Sequence, residues 1–429
     1  MTHATERLFR WLQIQPDERR AFTWSAAWFT TVLGAYYIVR PVREALGSVE
    51  GSTRLPWLFT AVFITMLVAV PLYGKLVVRF PGRRLVPVIY RFLILNLVAF
   101  SAAMHLLDET ILKYVARIFF VWVSVYVLFS TSLFWSVMAD LFSRESGKRL
   151  FGAIPGFGTI GAILASLFVS QTAERLGAAN LLLVSAALME AGLWCFRRLF
   201  AERGEVIAGE PSASEISHNP FSGFVHVVRS PYLRSIMLFV FCTTGCGTAL
   251  YMTQADILNA SFPEKGARTA MFAHIDLMVQ VVTVLCQVVL ASRLMKWNLT
   301  LTLCILPLIY AAVFTALSIA PGLNVLVTGM VLSRSATYGL AVPALGVLYT
   351  VVSRDDKYKA KSIIDTLVIR GGDAAWNWIV NAMKVAGLGM TMISAAIVPF
   401  ALLGSGMAIL LGHRNAATIK NNNAAQDTE

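Results

Sequence analysis

Ala35-Tyr36-Tyr37-Ile38-Val39-Arg40-Pro41-Val42-Arg43-Glu44-Ala45-Leu46-Gly47 closes the first long apolar segment of the chain. Two tyrosines end the run, and a proline then stands between two arginines. Pro41 has no backbone N–H and its ring crowds the preceding turn, so a regular helix is expected to break here. Broken backbone beside fixed charge is tolerated at membrane depth only where it faces protein or a water-filled cavity. The stretch reads as the lip of a solute pathway. The competing reading is an ordinary loop whose arginines snorkel from a helix end.

The surrounding composition puts a membrane there. Hydrophobic residues make up 57% of the 429 and charged residues 14%, against about 25% charged in soluble domains. Mean hydropathy is +0.67. Apolar runs of the roughly 20 residues that span a bilayer fall near 22–39, 56–78, 85–107, 114–142, 153–173 and 179–200. They resume near 232–258, 269–291, 300–320, 325–352, 362–388 and 391–412. The expected fold is an all-α polytopic membrane protein with twelve transmembrane helices. The first run follows Arg7, Arg10, Arg19 and Arg20, is long and has no small-residue cleavage site, so it does not read as a signal peptide. The cysteines at 195, 242, 246, 286 and 304 lie in or beside apolar runs and suit packing better than metal binding.

A net charge of +12 would fit nucleic acid, but topology accounts for it. With both termini in the cytoplasm, the inner segments hold 24 of the 36 Lys and Arg and the outer loops 8, the rest lying within spans. That threefold bias is the positive-inside pattern.

The polar stretch 201–231 divides the chain into a six-helix half at 22–200 and another at 232–412, flanked by cytoplasmic segments 1–21 and 413–429. A 6+6 plan with a long central loop resembles the major facilitator transporters, whose halves are related by a pseudo-two-fold axis. Gly74-Lys75-Leu76-Val77-Val78-Arg79-Phe80-Pro81-Gly82-Arg83-Arg84 resembles that superfamily's glycine/arginine loop, with Val78 where an aspartate is usual. Ser143-Arg144-Glu145-Ser146-Gly147-Lys148 and Ser353-Arg354-Asp355-Asp356-Lys357-Tyr358-Lys359 occupy corresponding positions of the two halves. Glu145, Arg149, Arg354, Asp355 and Lys361 are therefore candidate gate residues, able to pair when the cytoplasmic side closes.

A narrower resemblance rests on several motifs together. Tyr36-Tyr37-Ile38-Val39-Arg40-Pro41-Val42-Arg43-Glu44 resembles the end of helix one in the ATP:ADP antiporter family, the nucleotide translocases. Phe134-Trp135 with Gly147-Lys148-Arg149-Leu150-Phe151 is similar to its fourth-to-fifth helix region. Lys357-Tyr358-Lys359-Ala360-Lys361, with Asp365, Arg370, Gly371 and Gly372, is similar to its tenth-to-eleventh loop, and Ser230-Pro231-Tyr232 to the start of its second half. The resemblance implies an antiporter in a bacterial inner membrane, of the type found in free-living relatives. It also implies charged nucleotide contacts: a lysine ending helix one, glutamates in helices four and seven, and a lysine in helix ten. Here Arg43 stands near the first, while Val123, Tyr251 and Leu345 occupy the other three. ATP:ADP exchange itself is thereby put in doubt.

Ionisable groups inside a bilayer are costly and default to function. Arg117, Ser124 and Thr131 share one helix face, and Arg334 lies in the tenth span. Arg40, Arg43, Arg117, Tyr251, Arg334 and Arg370 are the candidate substrate-binding residues, because a guanidinium fork suits phosphate or carboxylate. The competing reading gives these arginines structural acid partners. Two further polar stripes, Asp276-Gln280-Thr283-Gln287 and Arg370-Asp373-Asn377-Asn381-Lys384, must face protein or water. His274 and Asp276 are the candidate proton-coupling pair.

Gly156-Phe157-Gly158-Thr159-Ile160-Gly161 spells a dinucleotide fingerprint but lies inside a membrane run with no preceding strand, so it is expected to be a helix-packing face. With no nucleophile–base or metal constellation, neither an enzyme nor a cofactor is expected. The function expected is secondary active transport of an anionic, phosphorylated or nucleotide-like solute by alternating access. The rivals are a facilitator-type exporter of another metabolite or siderophore, and a non-transporting scaffold or sensor. The partners are the solute and the lipid bilayer, without nucleic acid, and the architecture is compatible with a monomer.

Overall fold

The computed structural model describes residues 14–16, 18–142, 144–203, 230–349, 351–352 and 364–426, without the side chains of 144–149, 152, 365, 366 and 419–426. Among these residues every regular element is helical. In chain order they are α1 (Arg19–Gly47), α2 (Leu55–Arg79), α3 (Gly82–Leu106) and α4 (Glu109–Leu141). A run from Arg144 to Arg203 is broken at Gly177, whose φ of 73° and ψ of 166° are not helical, and its arms are α5 (144–176) and α6 (178–203). The second half holds α7 (Pro231–Ser261), α8 (Lys265–Trp297), α9 (Leu299–Ile319) and α10 (Leu323–Leu348). α11 (364–385) and α12 (Met390–Gln426) complete it. Among the described residues the fold is the all-α, polytopic arrangement expected from the hydropathy.

Local chemistry sets several of these ends. Ser230 accepts from the Leu233 N–H with Pro231 at the first helical position, and Asn298 accepts from Leu301, each satisfying a donor the helix start leaves open. Gly387, at φ 86° between α11 and α12, corresponds to Gly177 between α5 and α6, and both hold a left-handed backbone that suits glycine.

Pro41 does not break α1. The helix runs through it to Gly47, against the expectation that the chain opens there. A proline withholds one donor from the preceding turn, whereas packing holds both sides of the lesion: Ile38, Val39, Val42 and Ala45 are all buried.

Nine helices of the described residues are long and apolar enough to cross a membrane, with 153–202 counted as one. α1 and α11 are not among them, α1 being diluted by Trp, Thr and Tyr and α11 by its polar stripe. The chain forms two compact units. The first holds 1–47, 68–214 and 264–277, and the second 48–67, 215–263 and 278–429. α2 and α8, corresponding helices of the two halves, are each shared between units.

The core of the first unit is aromatic. Trp28 of α1 lies edge-on to Phe134 and Phe196, and Phe29 stacks on Phe134 at 4.4 Å. α5 reaches this core through its glycines. A Cβ at Gly158 would meet the Phe29 ring at 2.5 Å, and one at Gly161 would overlap the Thr30 backbone. Thr30 Oγ1 donates to the Phe157 carbonyl at 3.1 Å across the same contact. The fingerprint is a packing face between α1 and α5.

The three glycines of that motif supply an internal control. Gly161→Val should lower stability by about 1–3 kcal/mol through overpacking against backbone that cannot move aside. Gly156→Ala, with nothing within 4 Å of its Cβ, should change it by less than about 0.5 kcal/mol. Unfolding of the purified protein in detergent checks the order.

Candidate functional site

In the first unit the acids and bases of the last turns of α1 meet specific partners. Arg40 lies 3.4 Å from a carboxylate oxygen of Asp276 on α8, with 15% and 4% of the two side chains exposed. Its guanidinium also approaches the Tyr37 ring at 5.7 Å. Arg43 donates from Nε to the Phe120 carbonyl at 3.0 Å, pairs with Glu44 at 3.0 Å, and lies 3.8 Å from the centre of the Phe120 ring. The acids that the arginines need are thus present: one from the next residue and one from α8. Arg117 is half-buried on α4 with its guanidinium 5.4 Å from the Tyr114 ring. Ser124 on the same face is buried.

The proposed partnership of His274 and Asp276 is not formed in this geometry. Two residues on a helix are about 200° apart, so while Asp276 turns into protein, His274 lies exposed on the other side of α8. Gln280 and Thr283, one and two turns on from Asp276, are buried as well, and Gln287 donates to the Tyr338 carbonyl at 3.2 Å. The α8 stripe therefore faces protein.

The second unit carries a polar face along α11. Asp373 accepts from Thr248 Oγ1 of α7 at 2.9 Å, and the fully buried Asn377 donates to the Asp373 carbonyl at 2.8 Å. At its far end Lys384 pairs with Asp256 of α7 and donates to Ser52. Asp256 also accepts from the Ser52 N–H at 2.7 Å and its hydroxyl at 3.1 Å. Gly51, at φ 62°, brings this backbone so close that a Cβ there would lie 2.8 Å from Asp256. Sequence reasoning passed over Asp256 and Glu44, although both are acids in or beside an apolar run and the rule that flagged Asp276 flags them too.

Arg370 stands apart from these pairs. It ends a π-helical turn at Ile364–Arg370, the start of α11, and is half-buried. Among the described residues no hydrogen bond or ion pair engages it. Next to it, a Cβ at Gly371 would lie 3.5 Å from Phe63 and one at Gly372 3.5–3.6 Å from Thr244 and Phe241, so α11 lies against α2 and α7 at this level. Tyr251 of α7 packs edge-on to Phe59 of α2 at 5.5 Å. Arg334 is half-buried on α10 one residue-triplet before the π turn Thr337–Ala341. π turns recur at functional sites because they re-aim side chains and free a carbonyl. Arg354, Asp355 and Lys361 lie outside the described residues, as do the side chains of Glu145 and Arg149.

A family model of the Major Facilitator Superfamily matches residues 21–364. The chain belongs to this superfamily. It is 24% identical over 316 residues to ADP,ATP carrier protein 1 of Chlamydia trachomatis serovar D, an alignment covering 63% of the chain and 59% of that carrier's length. The chain thus spans about three-fifths of the curated relative it matches. Among solved structures it resembles the nucleoside transporter NupG, with a TM-score of 0.63, 12% identity, and 94% and 99% of the two chains covered. It also resembles the human organic anion transporter MFSD10, with a TM-score of 0.58, 17% identity, and 92% and 100% covered. The protein is a multi-pass membrane protein with the fold of this superfamily.

The Arg40–Asp276 contact should behave as a coupled pair. Asp276→Asn leaves a mostly buried guanidinium without its counter-charge and should cost about 3 kcal/mol. Arg40→Met with Asp276→Asn should recover much of that loss. A double-mutant cycle on unfolding in detergent measures the coupling, and strict additivity would remove the pair from the account.

Proposed function

We propose that the protein transports an anionic small molecule by alternating access, with Arg370 as the principal contact to the anion. The observation that carries this reading is the difference among the arginines. Arg40 and Arg43 are already matched by Asp276 and Glu44, whereas Arg370 has no charge partner among the described residues. A half-buried guanidinium gains most from an incoming carboxylate or phosphate, which it can hold by two charge-assisted hydrogen bonds. Arg117 and Arg334 are proposed as secondary contacts and Tyr251, beside Phe59, as an apolar wall. Coupling is proposed at Asp276, the carboxylate on Arg40.

A phosphorylated or nucleotide-like solute is the finer form of this reading. The identity shared with the ADP,ATP carrier supports it, and a guanidinium suits phosphate. The apolar Val123, buried in α4, and Leu345 in α10 argue against exchange of ATP for ADP as such, because they stand where the resemblance implies charge. The halves 22–200 and 232–412 are proposed to rock about the site, with both termini in the cytoplasm as the distribution of Lys and Arg requires.

Purified protein in liposomes should accumulate one or more anions from a set of nucleotides, sugar phosphates and polycarboxylates. Binding of that anion to folded protein should weaken by roughly ten- to a hundredfold in Arg370→Ala, with Arg370→Lys between the two. Arg370→Ala binding as tightly as wild type would make the residue structural, and uptake of only neutral or cationic solutes would end the anion reading. Absence of all flux from protein that still shifts its unfolding temperature with ligand would favour a sensor.

A further inference from the structure

The first unit exposes two opposite charges inside the membrane that the transport reading does not use. Glu190 lies at the middle of the apolar run of α6, in Leu182-Leu183-Val184-Ser185-Ala186-Ala187-Leu188-Met189-Glu190-Ala191-Gly192-Leu193-Trp194, and it is exposed. The residues that share its exposed face are Leu183, Ala187 and Trp194. Arg91 of α3 is likewise exposed, between Val88, Phe92 and Leu95, which are 67%, 58% and 67% exposed. Faces this apolar belong against lipid, unlike the polar faces of α8 and α11. Neither charge has a hydrogen bond or ion pair among the described residues. An unpartnered carboxylate at mid-bilayer is expensive.

The two helices are neighbours. Ser101 Oγ of α3 donates to the Ala179 carbonyl at the start of α6 at 2.8 Å, and buried Leu93, Leu97, Leu181 and Leu182 share one core. At 1.5 Å per residue, Arg91 lies about 9 Å and Glu190 about 15 Å inside the ends of their apolar runs. That difference is within the reach of an extended arginine side chain.

We propose that the exposed α3–α6 face binds a second copy of this chain across a two-fold axis, Glu190 of each copy pairing with Arg91 of the other. A two-fold contact uses the same patch twice, so a surface that carries both signs is complementary to itself. It neutralises four lipid-exposed charges with two pairs. The small Ala187 beside Glu190 lets the helices approach closely enough for the carboxylate to be reached, as small residues do at membrane helix contacts.

The test is self-association in lipid. Full-length protein labelled with donor and acceptor dyes is reconstituted over a range of protein-to-lipid ratios, and energy transfer between copies gives the dimer dissociation constant. Wild type should show a saturable dimer. Arg91→Ala and Glu190→Gln should each raise the dissociation constant by roughly tenfold to a few hundredfold, since each removes both copies of the contact. The exchanged variant, Arg91→Glu with Glu190→Arg, should restore association. Subunit counting by stepwise photobleaching gives the stoichiometry, and the unfolding temperature of each variant confirms that it is folded. A wild type that stays monomeric at every ratio overturns the proposal. So does a dimer whose dissociation constant is unmoved in both folded single variants, because its interface then lies elsewhere. Anion transport by a wild type that stays monomeric at every ratio would leave the functional reading intact while removing this one.

Discussion

Hydrocarbon offers no hydrogen bonds, so a polar side chain that the chain carries into the bilayer gains most from a partner within the protein. Much of the arrangement follows from that constraint. Arg40 on α1 is met by Asp276 on α8, and Asp256 on α7 is met by Ser52, just before α2, and by Lys384 on α11. α1 and α7 occupy corresponding positions in the two halves, as do α2 and α8. A connection from the first helix of one half is thus made twice, to the second helix of the other half in one case and to the turn just before it in the other. It is made with different residues each time, a guanidinium–carboxylate pair in one unit and a carboxylate held by backbone, hydroxyl and ammonium groups in the other.

That repetition explains the composition of the compact units. Each takes a stretch from the other half: 48–67 joins the second unit and 264–277 the first. The stretches hold the second-helix beginnings that the polar contacts engage. Ion pairs of this kind contribute little net stability, because dehydrating both charges offsets their attraction. What they specify is which segments belong together. An apolar contact between lipid-soluble helices could slide or exchange, whereas an unpaired carboxylate at the same place could not be ignored. A transporter that changes state needs contacts of this character, decisive in each state and weak enough in net terms to be remade.

The sequence carried the architecture plainly. Period and length are local properties, and they yielded the run of apolar helices and the packing role of Gly158 and Gly161. Proline chemistry misled at Pro41. The rule concerns the helix's own hydrogen bonds, while Ile38, Val39, Val42 and Ala45 are held by tertiary packing that the rule does not see. The α8 and α11 stripes were legible because a one-sided polar face must turn away from lipid whatever it meets. The partner it meets was not legible. Nothing in the spacing of His274 and Asp276 says that Asp276 belongs to Arg40, a residue more than two hundred positions earlier. Ser52 and Asp256 are brought together across a similar distance, and the glycine at 51 that permits it reads in the sequence as an ordinary turn.

The arginines show why such partners decide function. Counting them in the sequence suggests a convergent basic cavity, since each contributes one positive charge. Once Glu44 and Asp276 are placed, the pairs Arg43–Glu44 and Arg40–Asp276 are close to neutral at any distance beyond a few ångströms, because opposite fields cancel. An anion approaching them would have to displace a carboxylate already held in low dielectric, and its own attraction would be spent on that exchange. Arg370 imposes no such exchange on a ligand by the contacts described. The affinity of the proposed anion site therefore depends less on how many cations the helices carry than on how many acids are placed beside them.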